Sequence, residues 1–595
     1  MSSYDLRADQ SLVQESDDLN QKVQKPIIGR ENDMILNNTN AYVFETSITD
    51  YFLRILILGT TSNSYYSTAT EINQKAVQFI NEQIDGNQGF LLLELLKDVY
   101  KTGRAPKHNT IAYVHALLCR SKNVELRLKA LELLSDYRTL SQLYTWKGYH
   151  KQIGQSKGFG SAVKKSLNKW ILKQNPKNLA YQITKYQSRT NDKETWSIKD
   201  FLKCTHLKSN NNLVNVIFRY IVKGYEEAYE LSKSFNLEND QILTYLNVIN
   251  KIKLFTHENK DELINLIYDY RLTREQIPTW ALTDKDCYKA LLVDKDLNKI
   301  TMPMTALLRN LGNLSKLELF EDTQINNLVT NHLTNEHLIK SSHIHPVNVL
   351  IAWFTYAGGC GVKGKNNWVV NPSIVEALEI MFLRSFVNVK PTGKRILFGI
   401  DCSGSMTSPS VCPGLSNAEA AALLAMVFSR AENNGLESKH TFKLFTSQNR
   451  NYQNSGLYDV SDLITPKASF KDVYKAVQRS DFGSTQISLP IQWALENKEK
   501  YDAFVVITDN ELNFGSEHPS TALKKYRELS GINAKLVVVA TSTSNFTVAD
   551  PADNGMMDVV GFDSHAPKII QDFIRGSTID QLLDDDIEVD VDVEI

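Results

Sequence analysis

Apolar residues recur at helical spacing through the first two thirds of the chain. Between residues 41 and 390 they stand at i, i+3, i+4 and i+7, which lines one face of an α-helix. Glycine and proline are sparse there and the intervening loops are short. The pattern predicts a long row of paired amphipathic helices with no strands between them, an α-solenoid, although no strict motif repeats. Clear examples are FLLLELLKDVY (90–100), LRLKALELLSDY (126–137), NLVNVIFRYIVKGYEEAYEL (212–231) and MTALLRNLGNL (304–314).

A different pattern starts at Pro391. Short β-branched and aromatic runs alternate with amphipathic helical segments, as expected for βαβ crossovers and a buried parallel sheet. Residues 391–575 are therefore predicted to form a doubly wound α/β domain. The predicted strands lie in 395–403, 440–447, 501–509 and 534–542, and the predicted helices in 417–435, 470–478, 489–498 and 520–531.

Both ends of the chain differ from these two regions. Residues 1–40 are polar and hold few large apolar groups, which predicts a mobile arm. Residues 576–595 form an acidic tail, with eight acids among the last sixteen residues. Three roles for this tail remain open, namely a solvated solubility segment, a competitor of RNA for basic residues, and a cap on a metal site.

Composition excludes several protein classes. The chain has 595 residues, 42% of them hydrophobic, and a net charge of −2. Its six cysteines show no C-x-x-C pair, which argues against a disulfide scaffold or a cysteine zinc site. There is no signal peptide and no run of 18 apolar residues, so the sequence predicts a soluble intracellular protein without a membrane partner.

Positive charge is concentrated between Trp146 and Ser209. This stretch holds 14 lysines and arginines against three acids, a net +11 in a chain of −2. Such asymmetry is typical of polyanion binding, and the interleaved aromatics suit RNA with unpaired bases. The alternative is a solvated lysine face over an aromatic core. Candidate RNA-binding residues within the stretch are Lys157, Lys164, Lys165 and Lys169.

Oxygen-bearing side chains follow the predicted strands of the α/β domain. Asp401, Ser403 and Ser405 form a D-x-S-x-S motif directly after the first strand, Thr485 precedes a helix, and Asp509 ends another strand. Carboxylates and hydroxyls are hard ligands that suit a divalent cation, most naturally Mg²⁺. A lone motif of this kind would favour a helix cap, whereas three clusters at one sheet edge favour a metal site.

Enzymatic interpretations of these segments are disfavoured, because each lacks one residue that the corresponding enzyme class requires. A phosphoaspartyl enzyme needs an aspartate where Ser403 stands, and a nucleophile elbow needs a glycine where Asp401 stands. Residues 359–366 nearly spell a phosphate loop, but Asn366 replaces the Ser or Thr that holds Mg²⁺, so a Gly-rich connection is favoured. Without a nucleophile paired with a base, the sequence predicts no enzyme.

The metal motif resembles the metal-ion-dependent adhesion site of von Willebrand factor A domains. A helical array with a basic band, joined to such a domain, is similar to the Ro (SS-A) autoantigen family, whose helical part is the TROVE module. The resemblance covers about residues 35–575. The segments that carry it are FGSAVKK (159–165), TKY (184–186), PMTALLRNLG (303–312), TGKR (392–395), TDNE (508–511) and GFD (561–563).

The resemblance implies a ring of HEAT-like repeats over 41–390 closed by the A domain over 391–575. It implies Y-like RNAs on a basic outer face, and single-stranded 3′ ends of misfolded small RNAs in the ring. Family RNA-contacting positions match Lys185, Arg189 and His206, although the segment after Arg189 is longer here and carries two acids. Ser403, Ser405 and Thr485 would be direct or near-direct metal ligands, and Asp401 and Asp509 direct or water-mediated ones.

The leading hypothesis is thus a non-enzymatic ribonucleoprotein component, a monomeric ring located in the cytoplasm or also the nucleus. Its metal site could accept a carboxylate from an acidic protein partner. The alternative is a metal-dependent adhesion module on a helical scaffold, which would bind protein and no RNA. The +11 stretch discriminates between them, because a pure protein binder has no need of it.

Overall fold

The computed structural model describes residues 26–59, 67, 69–154, 160–191, 194–361, 366–386, 391–410, 414–431, 440–447, 456–478, 483–513, 515 and 517–576. Two compact units are present. An α/β unit combines the described residues up to Ala76 with those from Phe386 onward, and a helical unit spans Val77–Ser385. Lys157 and the acidic tail beyond residue 576 lie outside the described residues, as do residues 1–25 of the predicted arm.

The segment before the helical unit is ordered within the α/β unit. It forms β1 (Met34–Leu36), β2 (Tyr42–Glu45) and α1 (Ile48–Ile57). Strands β1 and β2 pair antiparallel, and β2 also pairs with Phe546–Thr547. The prediction of a mobile arm is therefore wrong for residues 34–40, because a hairpin fixed by distant partners is not visible in local composition.

Asn37 secures the hairpin turn to the α/β unit. Its side chain is 5% exposed. Nδ2 donates to the carbonyl of Leu512 at 2.7 Å, and Oδ1 accepts from the backbone N–H groups of Thr39 and Ala41. The Thr39 hydroxyl donates to the same Leu512 carbonyl. A single amide thus closes the turn and fastens it to the loop after residue 509.

We expect Asn37→Ala to lower the free energy of unfolding of the α/β unit by about 1–3 kcal/mol, because it leaves buried polar groups without partners. Urea denaturation of the full chain measures this change. Asn331→Ala, at an exposed position in a helix of the other unit, is the control and should lie within about 0.5 kcal/mol of wild type. Equal stability of both variants would contradict the anchoring role.

The helical unit is built from short amphipathic helices. Many begin at an Asn or Asp whose side chain accepts from the first-turn N–H groups, as Asn175 and Asp322 do. Their apolar faces pack consecutive or nearby helices against each other. The helices are α2 (Ala69–Asp85), α3 (Gly89–Thr102), α4 (His108–Leu118), α5 (Val124–Glu132), α6 (Leu140–Gly154), α7 (Ser161–Lys173), α8 (Pro176–Lys185), α9 (Ile198–Thr205), α10 (Asn212–Lys223), α11 (Tyr225–Lys233), α12 (Gln241–Ile252), α13 (Lys260–Tyr270), α14 (Lys285–Leu292), α15 (Met304–Lys316), α16 (Thr323–Thr334), α17 (Glu336–Ser341), α18 (Pro346–Ala357) and α19 (Pro372–Arg384).

One hairpin interrupts the helices. Strands β3 (Ser188–Asn191) and β4 (Glu194–Ser197) pair antiparallel between α8 and α9. The expectation of no strands in this region is wrong here, because Thr190 faces Thr195 in the register and β-branched residues favour a pleated pair. Among the described residues, no helix has the length and apolarity needed to cross a membrane.

The α/β unit contains a six-stranded sheet. Its strands are β5 (Ile396–Asp401), β6 (His440–Phe445), β7 (Leu457–Asp459), β8 (Ala503–Thr508), β9 (Lys535–Ala540) and β11 (Met556–Val560), and β10 is the Phe546–Thr547 strand beside β2. The order of the sheet is β11-β9-β8-β5-β6-β7, with parallel pairing except at β7. Strands β5 and β8 are buried along their whole length, as expected for central strands covered on both faces.

All four predicted strands and all four predicted helices of the α/β domain are confirmed within the described residues, and the last three helices end within two residues of the predicted bounds. Residues 432–435 of the first predicted helix lie outside the described residues. The order of the sheet reverses between β5 and β8, so the carboxyl ends of these two strands border the crevice where doubly wound sheets bind ligands. Both faces carry helices, which are α20 (Asn417–Ala431), α21 (Phe470–Gln478), α22 (Leu489–Glu496), α23 (Pro519–Ser530) and α24 (Ala566–Arg575).

Candidate functional site

The D-x-S-x-S motif lies at this reversal point. Asp401 is the last residue of β5, and Ser403 to Ser405 turn into a short 3₁₀ helix. Ser403 forms a parallel bridge with Gly483, whose carbonyl accepts from the Gly404 N–H at 2.8 Å. This pairing brings the loop that holds Thr485 to the end of β5. The sequence prediction that separate loops supply one cluster of oxygens is consistent with this arrangement.

The Asp401 carboxylate is fully buried and held on both oxygens. Oδ1 accepts from the Ser403 backbone N–H at 2.8 Å, and Oδ2 accepts from the Thr508 hydroxyl at 2.6 Å. The hydroxyl oxygens of Ser403 and Ser405 lie 3.1 Å apart. A carboxylate and two hydroxyls therefore converge in a small buried volume.

Thr485 brings a buried oxygen that has no partner. Its side chain is 1% exposed, and Oγ1 makes no hydrogen bond. The Thr485 backbone N–H donates to Oδ1 of Asn513 at 2.6 Å, which fixes the loop. A buried hydroxyl without a partner costs free energy unless a ligand satisfies it. Thr485 is therefore the clearest indication that this cluster accommodates a further atom.

Asp509 follows β8 and faces the same cluster. Its Oδ1 accepts from the Glu511 N–H at 3.1 Å, and its side chain is 5% exposed. Burial raises the pKa of Asp509, while a hydrogen bond from the Ser405 hydroxyl opposes that shift. The five predicted metal-site residues thus all lie at the carboxyl ends of β5 and β8 or in the loop bridged to them.

The cluster concentrates negative charge in a buried place. Burial and then the charge of Asp509 raise the pKa of Asp401 to about 7. The same two causes raise the pKa of Glu511 to about 8. Neighbouring buried carboxylates disfavour each other's ionised form unless a cation lies between them. The electrostatics therefore favour a positively charged ligand.

The donor chemistry fits a hard divalent cation. Two carboxylates and three hydroxyls are oxygen ligands of the kind that Mg²⁺ prefers, with waters completing an octahedron. No group of three or more His, Cys, Asp or Glu side chains suited to a metal occurs among the residues that the structure describes.

Supporting residues were not all foreseen from the sequence. Thr508 orients Asp401, and Asn513 holds the Thr485 backbone. Thr446 accepts from the Gly483 N–H at 3.0 Å and donates to the Ser484 carbonyl at 2.8 Å. Both threonines stand at the carboxyl ends of strands, and that position is the signal that could have identified them.

Two of the predicted RNA-binding lysines are exposed on one helix face. Lys165 and Lys169 are exposed on α7, Lys164 is half-buried, and α7 packs against α9, where Lys199 and Lys203 are exposed. The i, i+4 spacing on each helix puts each pair on one face. Further exposed basic residues nearby in the chain are Lys173, Lys177, His206 and Lys208.

Lys185 differs from these exposed residues. Its Nζ donates to the Tyr181 hydroxyl at 2.9 Å and lies over the rings of Tyr181 and Tyr186. Arg189 belongs to β3, opposite Trp196, and its side chain lies outside the described part of the structure. His206 caps α9 in the left-handed region, with φ of 52°, and is exposed.

Comparison with known proteins identifies the family. The TROVE domain model matches residues 35–355, and the Ro60 vWA domain model matches residues 395–574. This chain belongs to the Ro60 family. The TROVE match begins at residue 35, so β2, α1 and all of β1 except Met34 fall within it, although these elements belong to the α/β unit.

Relatives support the same family over nearly the whole chain. Two curated proteins, each named RNA-binding protein RO60, are 30% identical to it. The one from Caenorhabditis elegans matches 91% of this chain and 90% of its own length, and the one from Deinococcus radiodurans 91% and 95%. The crystal structure of the Deinococcus radiodurans RO (RSR) protein matches with a TM-score of 0.61 at 29% identity, covering 89% of this chain and all of that one.

Proposed function

We propose that this Ro60-family protein binds small noncoding RNA without catalysis, as a monomeric ribonucleoprotein component. Y-like RNAs would bind the exposed basic faces of α7 and α9, and single-stranded 3′ ends of misfolded small RNAs would bind elsewhere on the TROVE region. The observation that carries the proposal is the packing of two lysine-rich helices whose basic side chains point to solvent. We place this activity in the cytoplasm or also the nucleus.

The acids near this surface do little to neutralise it. Asp200 forms a capping box with Ser197, accepting from its N–H at 2.9 Å and from its hydroxyl at 2.6 Å. Of the lysines, Lys173 pairs weakly with Asp136 at 3.8 Å. Unneutralised exposed lysines on neighbouring helices create the local positive potential that attracts phosphates.

Three aromatic residues of the basic stretch belong to the core. Trp146, Trp170 and Phe201 are fully buried, and Trp170 Nε1 donates to the Tyr137 carbonyl at 2.7 Å. The half-buried rings of Tyr149, Tyr181, Tyr186 and Trp196 offer partial faces for base stacking, so we assign the larger share of the affinity to phosphate contacts of the exposed lysines. Binding dominated by phosphates depends steeply on salt, because each contact releases condensed counterions.

Crosslinking in cells followed by sequencing tests the proposal directly. Recovery of structured small noncoding RNAs would support it, whereas recovery of messenger RNA fragments in proportion to abundance would contradict it. In parallel, purified protein incubated with bound RNA and Mg²⁺ should leave the RNA intact. Metal-dependent cleavage that Asp401→Ala abolishes would overturn the non-enzymatic part of the proposal.

We further propose that the cluster at the ends of β5 and β8 holds one divalent cation, Mg²⁺. Ser403, Ser405 and Thr485 would supply hydroxyl oxygens, and Asp401 and Asp509 carboxylates, directly or through water. When bound, the cation supplies a Lewis-acidic position able to accept a carboxylate from an acidic protein partner. An adhesion function alone would leave the basic faces of α7 and α9 without a role.

We expect Thr485→Val to weaken Mg²⁺ binding by about tenfold or more while leaving the metal-free protein as stable as wild type. Valine matches the shape of threonine and removes an oxygen that has no partner, so its loss affects only the bound state. Isothermal titration with Mg²⁺ measures the affinity, and thermal melting in EDTA measures stability. Thr521→Val, at a half-buried position in the first turn of α23, is the control, and an unchanged affinity for Thr485→Val would exclude this ligand.

A further inference from the structure

A cleft lined by both apolar and basic side chains lies in the helical unit, away from α7 and α9 in sequence. It has a volume of about 620 Å³ and runs between α15 and α18. One wall carries Thr305, Arg309 and Lys316, which recur at helical spacing on α15. The opposite wall carries Asn348 and Thr355 of α18. The cleft is large enough for a compact polar ligand.

The charge of the cleft has one sign. Arg274, Arg309 and Lys316 line it, and no aspartate or glutamate is among its described lining residues. Burial raises the pKa of Tyr288 and the charge of the nearby Glu275 adds to that shift, but Glu275 itself is not one of the lining residues. A concave site with several cations and no acid focuses positive potential and favours an anion.

A buried amide orients one of these cations. Asn310 is 4% exposed, and its Oδ1 accepts from Arg274 Nη1 at 2.9 Å and from the Tyr288 hydroxyl at 2.6 Å. Its Nδ2 donates to the Ala306 carbonyl at 2.7 Å, so the orientation of the amide is fixed. The Arg274 guanidinium is thus held in place before any ligand arrives, which reduces the entropy lost on binding.

An aromatic side chain closes one end of the cleft. The ring of Trp368 lies directly on Gly312, where a Cβ atom would come within 2.7 Å of it, and it lies nearly parallel to Tyr356. Trp368 Nε1 donates to the Tyr356 carbonyl at 3.0 Å, which fixes the ring. Two further amides, Asn313 and Asn366, line the cleft beside it.

We propose that this cleft binds one phosphorylated nucleoside, either a free nucleotide or a single unpaired residue of an RNA. Arg309, Lys316 and the fixed Arg274 match a phosphate, since arginine binds phosphate oxygens in a bidentate manner. The amides of Asn313 and Asn348 can donate to and accept from ribose hydroxyls and base edges. The RNA source rests on the proposed function above, whereas the free-nucleotide source does not.

The cleft also includes residues of a sequence motif that the proposed function does not use. Gly361 and Asn366 of the glycine-rich run 359–366, which nearly spells a phosphate loop, line the cleft, whereas residues 362–365 of that run lie outside the described residues. Because asparagine replaces the residue that would hold Mg²⁺ in such a loop, the site needs no metal for binding. Nucleotide affinity should therefore be the same in EDTA and in Mg²⁺.

Binding of four nucleoside monophosphates by isothermal titration, and of a labelled single-stranded decamer by fluorescence anisotropy, tests the proposal. We expect the full-length double variant Arg309→Ala, Lys316→Ala to lose about 10- to 100-fold in affinity, since two charge-assisted hydrogen bonds are removed. Both side chains are exposed, so thermal melting should be unchanged. The matched control is Lys295→Ala, Lys299→Ala, at exposed positions in a loop that also carries acids.

Each outcome decides a separate question. Weakened binding of both probes assigns the free nucleotide as ligand, and weakened binding of the decamer alone assigns an RNA residue. If wild type binds structured RNA but both probes bind the double variant as well as they bind wild type, the cleft proposal is overturned and the proposed function stands. If wild type binds nucleotide but no RNA of any kind, the proposed function fails and the cleft remains a nucleotide site.

Discussion

Replacing Lys165, Lys169 and Lys203 together with alanine will weaken binding of structured small RNA by about 10²- to 10³-fold at ~0.1 M salt. Each lysine that neutralises a phosphate contributes about 0.9 to the slope of log affinity against log salt. Loss of three contacts should therefore reduce the magnitude of that slope by about 3. Anisotropy titrations at four salt concentrations measure both quantities. The three side chains are exposed on two packed helices, so removal changes charge and little else.

The control variant removes the same number of positive charges from a different part of the helical unit. Lys285, Lys295 and Lys299 are also exposed in the helical unit, but acids lie next to them at Asp284, Asp286, Asp294 and Asp296. Their triple alanine variant should bind RNA within about twofold of wild type and keep the same salt slope, since a mixed-charge surface attracts phosphates weakly. Equal losses in the two triple variants would mean that net charge, and no defined face, drives binding.

The α/β fold follows from the sequence because its signals are local. Residues 503–508 read AFVVIT and are buried along their whole length, so the run of apolar residues itself reports a strand covered on both sides. The helices between the strands carry their own amphipathic pattern. Strand order was not predicted in detail, but βαβ handedness restricts it strongly.

The N-terminal hairpin could not be predicted from the same signals. Its turn depends on Asn37, whose partner Leu512 lies 475 residues away in the chain. Arg54 likewise forms a buried ion pair with Asp558. Contacts between residues so far apart in the chain leave no periodic pattern in either segment. The polar side chains that make such contacts also give the segment the composition typical of a mobile arm.

The residues of the candidate metal site are accessible to sequence reasoning because strand ends in a parallel sheet share one edge. This shared edge predicts that Asp401, Thr485 and Asp509 lie close together. The structure adds two features that the sequence does not reveal. Only packing shows that Oγ1 of Thr485 is buried without a partner, and that Thr508 binds Asp401. For the candidate RNA-binding lysines, the sequence predicts the charge but not the exposure, so it gives no sign of the hydrogen bond from Lys185 to Tyr181.

Replacing Asp401 with asparagine will reverse the stability order of wild type and variant as Mg²⁺ is added. In EDTA, wild type holds two buried carboxylates close together, and asparagine removes one charge while keeping the size of the side chain. The amide can still accept from the Ser403 N–H and contact the Thr508 hydroxyl. We therefore expect the variant to be more stable than wild type by about 1–2 kcal/mol without metal.

Saturating Mg²⁺ should then stabilise wild type alone. A ligand at 100 times its dissociation constant adds about 2.7 kcal/mol, or ~5–10 °C in Tm for a unit of this size. Asp401→Asn should show no such rise, because the charge that binds the cation is reduced and a ligand is lost. Thermal melts in EDTA and in Mg²⁺ measure the metal-free stability and the gain in stability from the cation. Asp462→Asn, at an exposed position, is the control and should melt like wild type under both conditions. An equal Mg²⁺-dependent rise of Tm in wild type and Asp401→Asn would show that the cation binds without Asp401. A lower stability of the variant than of wild type in EDTA would show that the buried carboxylates do not repel each other.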